Sequence, residues 1–165
     1  YIHRVKSNTH LCKILLVGTM KFQKGYDIFV DSVSKIPSKK RLNLQFDVLG
    51  DGPDFEDIAS SINEKGLSDC INLHGNTNPD NYYLNADLYI LPSRWEGFSN
   101  SLIEALSFGI PALVSDCPSG NREVIIEGFN GIFFQNLSSQ DLRDKILETI
   151  ANLDSFDRFS KDLSM

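Results

Sequence analysis

Leu88-Tyr89-Ile90-Leu91-Pro92-Ser93-Arg94-Trp95-Glu96-Gly97-Phe98-Ser99-Asn100-Ser101-Leu102-Ile103-Glu104-Ala105-Leu106 runs from a strand into a helix. The apolar run Leu88 to Leu91 reads as a buried strand. The chain then turns through Gly97 into a segment whose apolar residues recur at helical spacing. Two acids, Glu96 and Glu104, frame the junction, one before the helix and one inside it. Three small polar residues, Ser99, Asn100 and Ser101, lie at the helix start. A helix N-terminus offers unpaired backbone N–H groups and a partial positive charge, so it suits a phosphate. Acids around such a pocket accept hydrogen bonds from the hydroxyls of a sugar or ribose. A phosphate seat with hydroxyl acceptors is the chemistry of a nucleotide-sugar site.

Each acid also has a plainer reading. Ser101-Leu102-Ile103-Glu104 has the spacing of a capping box, with Ser101 as N-cap and Glu104 at the third helical position. Glu96 reads equally as an exposed loop acid. The surrounding chain decides between these readings.

Outward from this junction the chain alternates strand and helix. Lys13 to Val17 is a short apolar run ending in Gly18, hence a buried strand. Tyr26 to Ile36 places Ile28, Phe29, Val33 and Ile36 near helical spacing. Phe46 to Leu49 reads as a strand ending in Gly50-Asp51-Gly52-Pro53, a turn that opens a helix over 54–65, which Gly66 stops. Ile71 to His74 is a strand ending in Gly75, and 81–86 a short helix. Ser101 to Phe108 is a helix with Gly109 just past its end and Pro111 beyond. Ala112 to Ser115 is a strand, 121–127 a helix, Gly131 to Phe134 the last strand and 138–153 an amphipathic helix. Strands buried on both faces and joined by helical crossovers imply an α/β fold: a Rossmann-like, doubly wound parallel sheet of about six strands. Ligands of such sheets bind beyond the carboxyl ends of the strands. Gly18, Gly50, Gly75 and Pro92 fall at those ends, so the opening motif lies on the functional edge.

The bulk properties bound the function. A chain of 165 residues suits one domain, here 13–153, with 1–12 as a linker or arm and 154–165 as the start of a tail helix. The net charge of −6 argues against general nucleic-acid binding, which calls for a basic stripe. No apolar run approaches the ~20 residues of a membrane span. Cys12, Cys70 and Cys117 are odd in number, far apart and without metal-ligand spacing, which reads as free thiols in a reducing, cytoplasmic compartment. No cluster of His and acids suggests a metal. Gly50-Asp51-Gly52-Pro53 lacks the third glycine of a dinucleotide fingerprint and follows the second strand, not the first. Lys24-Gly25 is followed by Tyr26, so the phosphate loop of the nucleotide triphosphatases is absent too.

Several motifs in order carry a family resemblance. They are Val17-Gly18, then Gln23-Lys24-Gly25-Tyr26-Asp27, Leu49-Gly50-Asp51-Gly52-Pro53 and Leu73-His74-Gly75. They continue through Ala86-Asp87-Leu88-Tyr89-Ile90-Leu91-Pro92-Ser93, Glu96-Gly97-Phe98, Glu104-Ala105-Leu106 and Gly109-Ile110-Pro111-Ala112-Leu113-Val114-Ser115-Asp116. Together they resemble the C-terminal, donor-binding domain of family 4 retaining glycosyltransferases, enzymes of the two-domain GT-B fold. The resemblance covers the chain from about Lys13 to Leu153, and the two glutamates separated by seven residues are its most specific part.

The resemblance implies a hexosyltransferase-type activity that moves a sugar from a nucleoside diphosphate sugar to an acceptor hydroxyl in cell-surface glycan synthesis. It implies Glu96 as the residue that contacts the donor sugar and Glu104 as the acceptor for the ribose diol. Backbone amides over Gly97, Phe98, Ser99, Asn100, Ser101 and Leu102 would hold sugar and phosphate. Gly18 and Lys24 would border the diphosphate, and Asn76 and Thr77 would meet the base through backbone groups. No cofactor and no metal are implied, since the sugar nucleotide is a substrate. The acceptor, a glycan or glycolipid, would come through an N-terminal domain, and the full-length enzyme would sit in the cytoplasm with peripheral contact to the inner face of the membrane. This domain alone would be inactive in transfer. Phe156 and Phe159 would begin a terminal helix crossing to the other domain.

The sequence departs from that pattern at Thr19. The family carries an Arg there, directly after the glycine of the first strand, in support of the diphosphate. A hydroxyl brings no charge, and a charge-assisted hydrogen bond is about twice as strong as a neutral one. Arg94, Arg122 and Lys21 are candidate substitutes, against the alternative that each is a solvated surface cation. Thr19 also motivates a rival function: a degenerate binding or interaction module that keeps the fold without donor turnover.

Overall fold

The computed structural model describes residues 10–156. The arm before His10 and the tail from residue 157 on, Phe159 included, lie outside the described residues. Six parallel strands form one sheet in the order β3-β2-β1-β4-β5-β6. They are β1 (Cys12–Val17), β2 (Leu44–Leu49), β3 (Ile71–Leu73), β4 (Leu88–Leu91), β5 (Ala112–Ser115) and β6 (Gly131–Phe134). The helices are α1 (Tyr26–Ser34), α2 (Ser38–Arg41), α3 (Phe55–Glu64), α4 (Asp80–Asn85), α5 (Asn100–Ser107), α6 (Ser139–Ala151) and α7 (Leu153–Phe156). The strand order reverses between β1 and β4, the topological switch point of a doubly wound sheet.

The alternation of side chains along each strand sorts the core into two layers. Ile14, Leu16, Phe46, Val48, Ile90 and Leu113 face α1, α3 and α6. In this layer Phe29 of α1 meets Phe46 edge-on, with ring centroids 5.4 Å apart. Leu15, Leu49, Tyr89, Leu91 and Val114 face the other side, covered by Leu102 and Ala105 of α5 and Tyr83 of α4. Burying two such layers supplies the hydrophobic stabilisation that sets the sheet between them.

Four sequence expectations change. First, β4 and β5 are buried at every position, but β2 and the end of β3 carry polar residues on their second face beside Leu49. Their second face carries Gln45, Asp47, Asn72 and His74, bonded to one another at Asp47: Gln45 Nε2 donates to Oδ2 at 2.9 Å, and Asn72 Nδ2 and His74 Nε2 lie 3.4 and 2.7 Å from Oδ1. The reason is that α4 is a short helix, so polar residues satisfy each other there instead of packing under a long crossover. Second, the helix expected over 121–127 is a single 3₁₀ turn, Gly120–Glu123, capped by Ser119. Third, the basic turn α2 was not anticipated; it follows Pro37, which breaks from α1. Fourth, the final amphipathic helix is divided at Asn152 into α6 and the short α7, where Phe156 is buried.

Candidate functional site

The loop from β1 to α1 leaves the sheet at Gly18, passes the exposed Thr19, makes a 3₁₀ turn over Phe22–Lys24 and ends at Gly25. Gly25 has φ 69, and a Cβ there would lie 2.0 Å from the Pro92 carbonyl oxygen. Only glycine permits both the left-handed backbone and that approach. The contact draws the first loop against the end of β4 at the switch point. Further bonds lace the two loops: Arg94 N donates to Gln23 O at 2.8 Å, and Gln23 Nε2 donates to Trp95 O at 3.0 Å.

This approach joins two of the expected site residues. Lys24 Nζ lies 2.6 Å from Glu96 Oε1, with the side chains 17% and 5% exposed. The fully buried Ser93 donates its hydroxyl to the same oxygen at 2.6 Å. Glu96 is therefore not the exposed loop acid of the plainer reading. The loop after β5 supports it from the far side: Glu96 N donates to Pro118 O at 3.2 Å, and Gly120 N to Gly97 O at 2.8 Å. The Phe98 ring lies over Gly120, where an added Cβ would come within 2.6 Å of it.

The start of α5 corrects the capping reading. Ser99 is the N-cap, and its hydroxyl accepts from Leu102 N at 3.4 Å. The helix begins at Asn100, so Glu104 is its fifth residue and lies a turn too far along to close a capping box. Instead Glu104 accepts from the Tyr83 hydroxyl at 3.0 Å on an exposed face. The amides of Asn100 and Ser101, in the first turn, have no intrahelical acceptors. Tyr89 rises from β4 beneath this end and donates to Ser101 Oγ at 2.8 Å. Burial above all pushes the Tyr89 ionisation upward, and the nearby charges of Glu96 and Glu104 add to it. Tyr89 stays a neutral donor. Burial likewise raises Tyr26, whose hydroxyl donates to Gly18 O at 2.9 Å.

Asn76 and Thr77 are exposed just beyond β3, on the far side of β2 and β1 from the Lys24–Glu96 pair. Thr77 Oγ closes a turn onto His74 O at 2.7 Å, and Gly50 N donates to Gly75 O at 2.7 Å. His74 lies 2.7 Å from Asp47 through Nε2 and 3.1 Å from the Tyr82 hydroxyl through Nδ1. This network fixes the base of the loop.

Two of the three proposed substitutes for the missing arginine, Arg94 and Arg122, are engaged elsewhere, and the third, Lys21, is exposed. Arg94 forms a two-pronged pair with Asp27 at 2.8 and 2.7 Å, and its guanidinium lies 3.8 Å from the Phe22 ring centre. Hydrogen bonding from Arg94 holds the Asp27 carboxyl below its usual range. Arg122 pairs with Asp116 at 2.6 Å and lies over the Phe133 ring. Lys24 is thus the cation positioned at the switch point, and Thr19 beside it brings no charge.

Three residues of this site escaped the sequence reading. Ser93 stood in the motif without a role, because only the fold shows that its hydroxyl turns toward Glu96. Tyr89 looked like one more apolar strand position. Asn121 is 1% exposed, and neither polar atom of its side chain has a partner among the described residues. A buried polar side chain just after the Gly97–Gly120 contact was not legible from spacing. Among the described residues no group of His, Cys, Asp and Glu is placed to hold a metal ion. No helix among them is long and apolar enough to cross a membrane.

A Rossmann-like, doubly wound parallel sheet of this topology is shared with glycosyltransferases of the GT-B type. The chain belongs to the glycosyl transferases group 1 family, which it matches over residues 3–162. It is 34% identical over 124 residues to the lipopolysaccharide 1,6-galactosyltransferase of Salmonella typhimurium, covering 71% of this chain and 33% of that protein. It is 30% identical over 141 residues to an uncharacterized glycosyltransferase of Methanocaldococcus jannaschii, covering 84% of this chain and 38% of that one. Among solved structures, a mutant S. aureus TarM in complex with fondaparinux, alpha-GlcNAc-glycerol and UDP superposes with a TM-score of 0.83 at 26% identity, covering 98% of this chain and 33% of that one. The chain therefore spans about a third of the length of these relatives.

Proposed function

We propose that this chain is the C-terminal, donor-binding domain of a retaining glycosyltransferase of family 4. It takes a nucleoside diphosphate sugar and serves transfer of the glycosyl group to an acceptor hydroxyl in cell-surface glycan synthesis. The observation that carries the reading is the Lys24–Glu96 pair held beside the first turn of α5 at the switch point. In this reading the cation and the helix-end amides would border the departing diphosphate, and the acid would face its sugar. Such preorganised charge stabilises a departing nucleoside diphosphate without reorganisation in the transition state.

In this reading Glu96 orients the sugar ring. The amides near Gly97, Phe98, Ser99, Asn100, Ser101 and Leu102, with Lys24 and Gly18, hold the diphosphate. Glu104 accepts the ribose diol, and the Asn76–Thr77 turn meets the base. Helix-end amides and Lys24 supply the charge neutralisation, so the reaction needs no metal and no cofactor. The UDP bound by TarM and the lipopolysaccharide galactosyltransferase relative support a sugar nucleotide as donor and a glycan or glycolipid as acceptor. The acceptor would bind through a second domain, and the whole enzyme would act in the cytoplasm at the inner face of the membrane. This domain by itself binds donor and transfers nothing.

Calorimetry tests the reading directly. The chain is titrated with UDP, GDP and ADP, each alone and carrying a hexose. One nucleoside diphosphate should bind, and its free nucleoside far more weakly. Failure of all three diphosphates to bind refutes the proposal. Sugar transfer by this chain alone refutes the division of labour between domains.

A further inference from the structure

Ser93 has a geometry more specific than that of a satisfied buried hydroxyl. It is fully buried at the end of β4, where a hydroxyl ordinarily bonds to a backbone carbonyl. Here it donates at 2.6 Å to the carboxylate three residues on. It also chooses the same oxygen as Lys24: both 2.6 Å contacts converge on Glu96 Oε1. Among the described residues no donor reaches Oε2, and Oε2 is not sealed from solvent. Glu96 thus has one oxygen clamped from two sides and one that no donor among the described residues reaches.

We infer that Ser93 is a positioning residue for donor-sugar recognition, locking the Glu96 carboxylate so that Oε2 alone meets a sugar hydroxyl. The inference rests on the donor-binding reading of this site. A free carboxylate rotates about its last bond and takes two neighbouring hydroxyls with two oxygens. The clamped one offers a single acceptor in a fixed direction, so it reads one hydroxyl and its orientation. Lys24 completes the arrangement. An ammonium has three N–H donors, and only one is spent on Oε1. Two remain for diphosphate oxygens, so Lys24 can bind the leaving group without releasing Glu96. The sugar acceptor and the diphosphate seat are then joined through one lysine, and Ser93 holds the carboxylate whether or not Lys24 moves.

The test uses calorimetry on Ser93→Ala, Ser93→Thr and Glu96→Gln, with UDP, GDP and ADP alone and carrying glucose, galactose or mannose. Ser93→Ala should weaken the hexose-bearing nucleotide about tenfold, the low end for a lost hydrogen bond to a charged group, while the bare diphosphate changes less than about twofold. Ser93→Thr keeps the hydroxyl and should restore the affinity. In the Glu96→Gln background, Ser93→Ala should add nothing further to the loss, which a merely structural serine would not produce. The inference is overturned by equal losses for bare and sugar-bearing diphosphates, by a loss that persists undiminished in Glu96→Gln, or by a wild-type chain that binds a diphosphate but none of its hexose derivatives. Failure of every diphosphate to bind wild type overturns the underlying reading instead. Melting temperatures identify a variant that has lost its fold, and the Glu96→Gln comparison then decides by itself.

Discussion

Lys24→Ala perturbs stability and binding together, and the structure gives a size for each. The pair closes at 2.6 Å, with the carboxylate 5% and the lysine 17% exposed. At an effective dielectric constant near 20 the gross attraction is about 6 kcal/mol, most of it offset by the desolvation of two charges. Removing the lysine leaves Glu96 in its low-dielectric place with Ser93 as its remaining side-chain partner. Breaking a buried pair from one side costs about 3–5 kcal/mol, and the partly exposed lysine lowers that to about 2–3. For a domain of this size such a loss lowers the melting temperature by about 4–12 °C. On the proposed function the same variant should also lose a charged donor to the diphosphate, worth about 1.5–3 kcal/mol in binding. Scanning calorimetry reads the first effect, and titration with UDP and uridine reads the second. Glu96→Gln is the control: it removes the charge that would be stranded, so Lys24→Ala should cost far less stability in its presence. A melting temperature unchanged in Lys24→Ala would show that the pair does not hold the loops together. Equal losses for UDP and uridine would show that Lys24 does not face the diphosphate.

Glu104→Gln should leave the melting temperature near wild type, since an amide oxygen also accepts from Tyr83, yet weaken a ribonucleotide by about 1 kcal/mol as a charged acceptor becomes neutral. A 2′-deoxynucleotide should lose less, and undiminished ribonucleotide binding would remove Glu104 from the site. Gly25→Ala should destabilise by about 2–4 kcal/mol through left-handed strain and the clash with Pro92, and near-wild-type stability on denaturant unfolding would contradict the close approach of the two loops. Asp27→Asn concerns acid stability. Arg94 holds the folded Asp27 carboxyl below its ordinary value of 3.8, so its contribution is present above that value and fades as pH falls through the lower folded one. Because the Asp27 side chain is 57% exposed, the variant should lose under about 1 kcal/mol at neutral pH. The gap to wild type should close below pH 3.8, and a gap that widens in acid would refute the assignment.

The fold was legible because its signals are local. The apolar runs ending in Gly18, Gly50, Gly75 and Pro92 have strand length and sit at the carboxyl ends where a doubly wound sheet binds ligands. The six expected strands are the six of the sheet, with ends shifted by a residue or two at hydrogen-bonded boundaries. Errors came where a local pattern admits two outcomes. Ser99 and Ser101 both suit an N-cap, and only the backbone of Ser99, extended while Asn100 turns helical, chose between them. Gln45, Asp47, Asn72 and His74 alternate with apolar neighbours, a pattern outweighed in the sequence reading by the expectation of two buried faces.

Sequence alone determined the class of fold and the glycosyltransferase family, because periodicity, glycine position and motif order are all written along the chain. It also brought Lys24, Glu96 and Glu104 forward as the residues of interest. Tertiary structure decided what those residues touch. Seventy-two positions separate Lys24 from Glu96, and no spacing rule links them. They meet because β1 and β4 are neighbours at the switch point and Gly25 lets one loop press on Pro92. The same contact decided that Arg94 turns to Asp27 rather than to the site, and that Ser93 and Lys24 share one oxygen of Glu96. Side-chain direction depends on which strands become neighbours, and that is a property of the folded sheet, not of any segment of it.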